Sequence, residues 1–174
     1  MVEYIVSKRL LSTIIVILSL NSCYTKLHLK NIGVRTQLNL NGVYILQDDL
    51  VNVNEDYGGV ILLYDNSLTI KGSVRKDSFG NNLEKTIENF ASKKTKTGYG
   101  VFEIKDNFIE IEFWTPSSGG PLKTTINKGK VINDETFLLT YMYNNYDGTE
   151  RTFNNLYKLH SLETKPDSTN RFIK

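Results

Sequence analysis

His28 and His160 are the only histidines in 174 residues, and Cys23 is the only cysteine. These are the side chains that most often hold zinc or serve as a base, and a zinc site needs about four ligands in a compact set. Two histidines near opposite ends of the chain do not supply one, so no metal site and no cofactor is expected. Thr115–Pro121, "TPSSGGP", brings hydroxyls and paired glycines together. It lacks the Gly-x-Ser-x-Gly order of a nucleophile elbow, has no histidine close by, and has no lysine to hold a phosphate. It reads as a connection between strands, with proline limiting each end. Asn145–Glu150, "NYDGTE", has the Asp-Gly of a calcium loop. The spacing would demand ligands at Tyr143 and Asn154 and fails at both, which leaves a turn. Asp48, Asp49, Glu55 and Asp56 could gather a hard cation, but they read as solvated loop charge. Glu110 and Glu112 lie two apart on one strand face, as an acid–base pair would. That face is opposite Ile109, Ile111 and Phe113, so both are expected outside and wet. No nucleophile–base or metal constellation remains, and no enzymatic activity is expected.

Aromatic side chains are the remaining signal. Tyr44, Tyr64, Phe102, Trp114, Tyr141, Tyr143, Phe153 and Tyr157 fall on strand segments. Tyrosine and tryptophan bring a polar handle to an apolar wall, which suits a ligand pocket and an ordinary core alike. The best candidates for a binding wall are Tyr44, Trp114, Tyr141 and Tyr143.

The segments that carry them are nearly all strands. "NGVYILQ", "GVILLYD", "SLTIKGSV", "YGVFEIK", "FIEIEFW", "PLKTTINKGKVIN", "TFLLTYMY" and "ERTFNNLYKLH" are rich in β-branched and aromatic residues and are divided by turn residues. Asp65-Asn66 and Asp106-Asn107 mark short hairpins, and Gly129 marks a bend or bulge. One helix interrupts the series. Leu83, Ile87, Phe90 and Ala91 form a single apolar stripe, with Asn81 and Glu84 as a candidate cap pair and Lys93, Lys94 and Lys96 at the C-terminal end. Eight strands joined by short turns predict an all-β fold. The expected form is an eight-stranded antiparallel up-and-down barrel, with the amphipathic helix inserted between strands 3 and 4. An open sheet or a two-sheet sandwich is the alternative. Such a barrel is just wide enough to be filled by side chains or to hold one small ligand.

Ahead of this domain, Lys8 and Arg9 precede the apolar run "LLSTIIVILSL", which is too short for the roughly 20 residues of a membrane-spanning helix. Leu20-Asn21-Ser22-Cys23 follows and resembles a bacterial lipobox, although Asn21 departs from the usual small residue. That resemblance implies cleavage before Cys23 and acylation of its thiol with fatty acyl chains such as palmitate. It also implies an anchor in the cell envelope, and Tyr24 in the next position favours the outer membrane. On this reading 1–22 is the signal peptide, 23–38 the lipidated N-terminus and tether, 39–162 the barrel and 163–174 a C-terminal tail. Lys8, Arg9 and Glu3 leave with the signal, so the net charge of +2 falls to about +1. That balance gives no electrostatic case for nucleic acid. No second cysteine is present to form a disulfide.

"LNGVYI", "GGVILLYDNSLTIKG" and "GYGVFEIKDNFIEIEFW", with the lipobox in front, resemble small lipocalin-like lipoproteins of Bacteroidetes-type bacteria. The resemblance runs from about Leu38 to His160 and implies a barrel and an envelope address, without catalytic residues. Two functions follow as expectations. One is a lipid-anchored barrel that holds a small apolar or amphipathic ligand. The other is a solid barrel that docks an envelope partner, and there the Leu83–Ala91 stripe would be partly exposed.

Overall fold

The computed structural model describes residues 27–29, 36–47, 57–79, 82–92, 95–116 and 122–173. Cys23, Asn81, Lys93, Lys94, the acidic residues of 48–56 and most of the glycine loop at 117–121 lie outside them. Eight strands follow in order: β1 (Gly42–Leu46), β2 (Tyr57–Leu63), β3 (Leu68–Arg75), β4 (Tyr99–Lys105), β5 (Phe108–Thr115), β6 (Lys123–Asn133), β7 (Thr136–Asn144) and β8 (Glu150–Ser161). Each pairs antiparallel with the next, and β8 returns to β1 from Gly42 opposite Ser161 to Leu46 opposite Tyr157. The sheet is a closed barrel rather than an open sheet or a sandwich, and closure removes the exposed edges that invite aggregation.

Local sequence explains the turns. Asp106 and Asn107 both have positive φ, 48° and 67°. Paired left-handed residues make a turn whose twist matches the strands on either side, and Asp and Asn tolerate that conformation well. The register of β6 on β7 shifts between Lys128 and Gly129, where the glycine marked a bend. A methyl at Gly129 would sit 1.9 Å from the Leu138 carbonyl oxygen, so the strands close here only without a side chain.

Two apolar layers result from the alternation of faces. The inner one draws on nearly every strand: Tyr44, Ile61, Leu63, Phe102, Ile111, Phe137, Leu139 and Tyr157 are all buried inside the barrel. Phe137 stacks on Tyr157 with centroids 5.1 Å apart and meets Tyr44 at 4.9 Å. Leu38 closes this end, where the Tyr44 hydroxyl lies 2.9 Å from the Asn39 carbonyl oxygen and 3.3 Å from that of Asp134. The β2–β3, β4–β5 and β6–β7 turns gather at the same end, which is therefore the closed one.

The outer layer covers one side only. Helix α1 (Leu83–Ala91), in the connection from β3 to β4, lays Leu83, Ile87, Phe90 and Ala91 over the outward residues Val60, Leu62, Ile70 and Tyr99. All four stripe residues are buried, so the stripe is core and not a free surface. Gly72 makes the contact possible, because a methyl there would meet the Phe90 ring at 2.0 Å. The Tyr99 hydroxyl donates to the Ala91 carbonyl at 2.8 Å and ties the helix end to β4. Asn81, half of the expected cap pair, lies outside the described residues. Asn82 is the cap residue and makes no side-chain bond, while the Glu84 carboxylate accepts the backbone N–H of Glu163 at 2.5 Å. The segment after β8 packs on this layer too, with Phe172 5.3 Å from the Tyr99 ring. Lys165 donates to the carbonyls of Leu40 and Leu63.

Candidate functional site: the polar half of the barrel

The inward residues change character towards the opposite end, where the β1–β2, β3–β4, β5–β6 and β7–β8 connections lie. Residues directly opposite on paired strands share a face. Ile61 opposite Lys71 and Gly59 opposite Ser73 therefore turn Lys71 and Ser73 into the barrel. Phe113 opposite Thr125 and Ile111 opposite Asn127 do the same for β6. Asn127 opposite Met142, Thr125 opposite Asn144 and Met142 opposite Arg151 complete the circuit. Glu103, Glu110, Glu112 and Glu150 pair with outward neighbours, so among the described strand residues no carboxylate points inward.

Two of these inward groups have no hydrogen-bond partner among the described residues. Asn127 is 2% exposed and its Nδ2 has no hydrogen-bond partner. A buried polar group without a partner typically costs about 1–3 kcal/mol. The Lys71 ammonium stands 4.4 Å over the Phe113 ring, a cation–π contact in place of an ion pair. Burial pushes Lys71 down to about 8. It pushes Lys165, on the outer layer, down to about 8 as well, with Asp65 opposing. Burial pushes the Tyr157 hydroxyl up to about 12 and raises Tyr44 and Tyr64 further.

These shifts set a pH profile for stability. A lysine whose folded pKa lies below its unfolded value of about 10.4 binds fewer protons folded than unfolded across that interval. Stability then rises with pH from about 8 towards 10 and stays at its lower level below 8. The buried tyrosines keep their protons when the unfolded chain loses its own, so stability falls again above about 10. Urea unfolding should give a protein about 1–3 kcal/mol more stable at pH 9.5 than at pH 7.5. A flat or falling profile over that interval would mean that both amines are solvated.

The four aromatic candidates are not one cluster. Tyr44 is inside but belongs to the closed end, in contact with Phe137. Trp114 follows the inward Phe113 and so lies on the outer face, buried in the outer layer beneath Lys96, whose amine is 3.9 Å from its ring. Tyr141 and Tyr143 also face outward. Leu139 pairs with Asn155 and Tyr141 with Thr152, and this irregularity around Thr140 reverses the alternation that made Phe137 and Leu139 inward. Lys71 and Asn127, which the sequence reading passed over, hold the positions that those aromatics were expected to hold. The usable signal was the helix stripe: once α1 covers β3, Ile70 must face it, and Lys71 must face the interior.

The expectation for the two glutamates is also corrected. Glu110 is on the surface, paired with Lys128 at 2.8 Å. Glu112 is outward but 0% exposed. Its carboxylate accepts the backbone N–H groups of His28 at 2.5 Å and Leu29 at 2.8 Å, and the Asn145 amide at 2.9 Å. His28 Nδ1 is 3.2 Å away. Outward therefore does not mean wet, because residues 27–29 lie across this face. Glu112 is a clasp for that segment.

A depression of about 460 Å³ lies between the end of α1 and the C-terminal segment and is lined by Ala91, Tyr99 and Phe172 among others. Comparison with protein-family models, with curated proteins and with solved structures finds no match to this chain.

Proposed function

We propose that this protein is a non-catalytic, lipid-anchored lipoprotein of the bacterial cell envelope whose lipocalin-like barrel binds a small amphipathic molecule. Cys23 carries the anchor, and the outer membrane, facing the periplasm or the cell surface, is its address. The observation that carries the binding function is the division of the barrel interior. One half is packed with aromatic and aliphatic side chains and closed by Leu38. The other half turns Lys71, Ser73 and the unpartnered Asn127 amide inward. A core needs no such groups, and burying an amine and an amide, as at Lys71 and Asn127, without partners is unfavourable. A ligand with one polar end and one apolar end offsets that cost. The competing role, a solid barrel docking an envelope partner through its outer face or helix, would have to use surface other than Leu83, Ile87, Phe90 and Ala91, which are covered.

The test is native mass spectrometry of the protein purified from its own host, repeated after organic extraction. A small molecule bound natively and released on extraction is the expected result. Bare protein in both spectra, beside a known binder that keeps its ligand, would sink the binding function. The address is tested separately by Cys23→Ser, which should move the folded protein from the membrane to the soluble fraction. Retention of the serine variant on membranes would overturn the anchor.

A further inference from the structure

We infer that the ligand is an anionic single-chain amphiphile, its carboxylate-like head held by the Lys71 ammonium and the Asn127 amide, its chain laid along Phe113, Met142 and Phe153. The inference rests on the binding function proposed above and names the chemical class of the ligand.

Charge decides between head groups. Lys71 brings a cation into an interior whose described strand positions include no carboxylate. Arg151 adds a second cation at an inward position nearer the rim, opposite Met142. A cationic ligand would be repelled from such a wall. Among the described residues, a neutral one would leave the ammonium with only the Phe113 face at 4.4 Å. An anion gives it a charge-assisted bond, roughly twice as strong as a neutral one.

Geometry places the second donor within reach of the same head. Phe113, under the Lys71 amine, pairs with Thr125. Asn127 is two residues further along β6, the diagonal neighbour of Phe113 at about 7–8 Å. A head group seated between Nζ and Nδ2 would receive a donor from each. Thr125 is not needed for this, since its hydroxyl already meets that of Thr115 at 3.2 Å.

The test is a fluorescence titration of the full chain with cis-parinaric acid, a fluorescent polyene fatty acid, and with its methyl ester and the corresponding amine. At pH 7 the acid should bind on the order of tenfold tighter than the ester, and the amine weakest of the three. The advantage of the acid should shrink at pH 9.5, where Lys71 has largely lost its proton. Lys71→Met should abolish the preference for the acid while leaving the affinity for the ester; Lys71→Arg should keep it. Near-UV circular dichroism checks that each variant is folded. If Lys71→Met does not fold, Asn127→Leu serves instead and should weaken the acid several-fold more than the ester. Equal affinity for acid and ester in the native protein would overturn the anionic assignment and leave the binding function standing. Tighter binding of the amine would do the same. A preference that survives Lys71→Met would overturn the role of Lys71. Binding of none of the three would overturn both the inference and a pocket open to chains of this length.

Discussion

Replacing Phe137 with alanine should lower folding stability by about 3–5 kcal/mol, read as the shift in a urea unfolding curve. The ring is fully buried, and it lies between Tyr44 at 4.9 Å and Tyr157 at 5.1 Å. Its removal takes away the transfer free energy of a large apolar side chain. It also leaves a cavity that three neighbouring strands must collapse to fill. Collapse is hindered here. The Tyr44 hydroxyl is anchored at the Asn39 and Asp134 carbonyls, and the β7 backbone is fixed on both sides by β6 and β8. Phe137→Leu, which keeps most of the volume, should cost under about 1.5 kcal/mol. A loss below 1 kcal/mol for the alanine variant would show that the closed half of the barrel relaxes freely and is not a packed plug.

Glu112→Gln should cost about 2–4 kcal/mol and release residues 27–29 from the barrel, although the change is nearly isosteric. One carboxylate oxygen accepts both the His28 and the Leu29 backbone N–H, and the other accepts the Asn145 amide. A carboxylate is an acceptor at every lone pair, whereas an amide presents hydrogens on one side. Whichever way the glutamine turns, its NH2 faces a donor. The Asn145 amide also bonds Thr124 Oγ1 at 2.7 Å, so the clasp joins the β7–β8 connection to β6 as well as to the N-terminal segment. Hydrogen exchange at the His28 and Leu29 amides should rise by at least an order of magnitude in the variant, consistent with loss of about 1.4 kcal/mol or more of local protection. Unchanged protection would mean that the segment is held by Leu27 and Leu29 packing alone.

The sequence by itself carried the architecture. Alternating strands, Asp-Asn turns and a single stripe at helical spacing are local signals that name the elements, while the β8–β1 pairing decides a closed barrel over an open sheet or a sandwich. The eight strand segments, the position of the helix and the irregularity at Gly129 were all legible on those grounds. Which face of each strand would be interior was not. A period of two says that Phe113 and Trp114 lie on opposite sides, but not which side is covered, and here both are. Helix α1 and the C-terminal segment make an apolar layer outside the barrel, so Trp114 is buried without being inside. The irregularity at Thr140 reverses the alternation of β7, and one displaced residue sends Tyr141 and Tyr143 outward. Glu112 looked solvated because its competing environment comes from residues 27–29, more than 80 positions away. Lys71 and Asn127 are turned to one interior by the pairings of β3 with β2 and of β5 with β6. Strand periodicity is set by neighbours along the chain. Burial on a closed sheet is set by what packs against each face, and that information is carried by contacts distant in sequence.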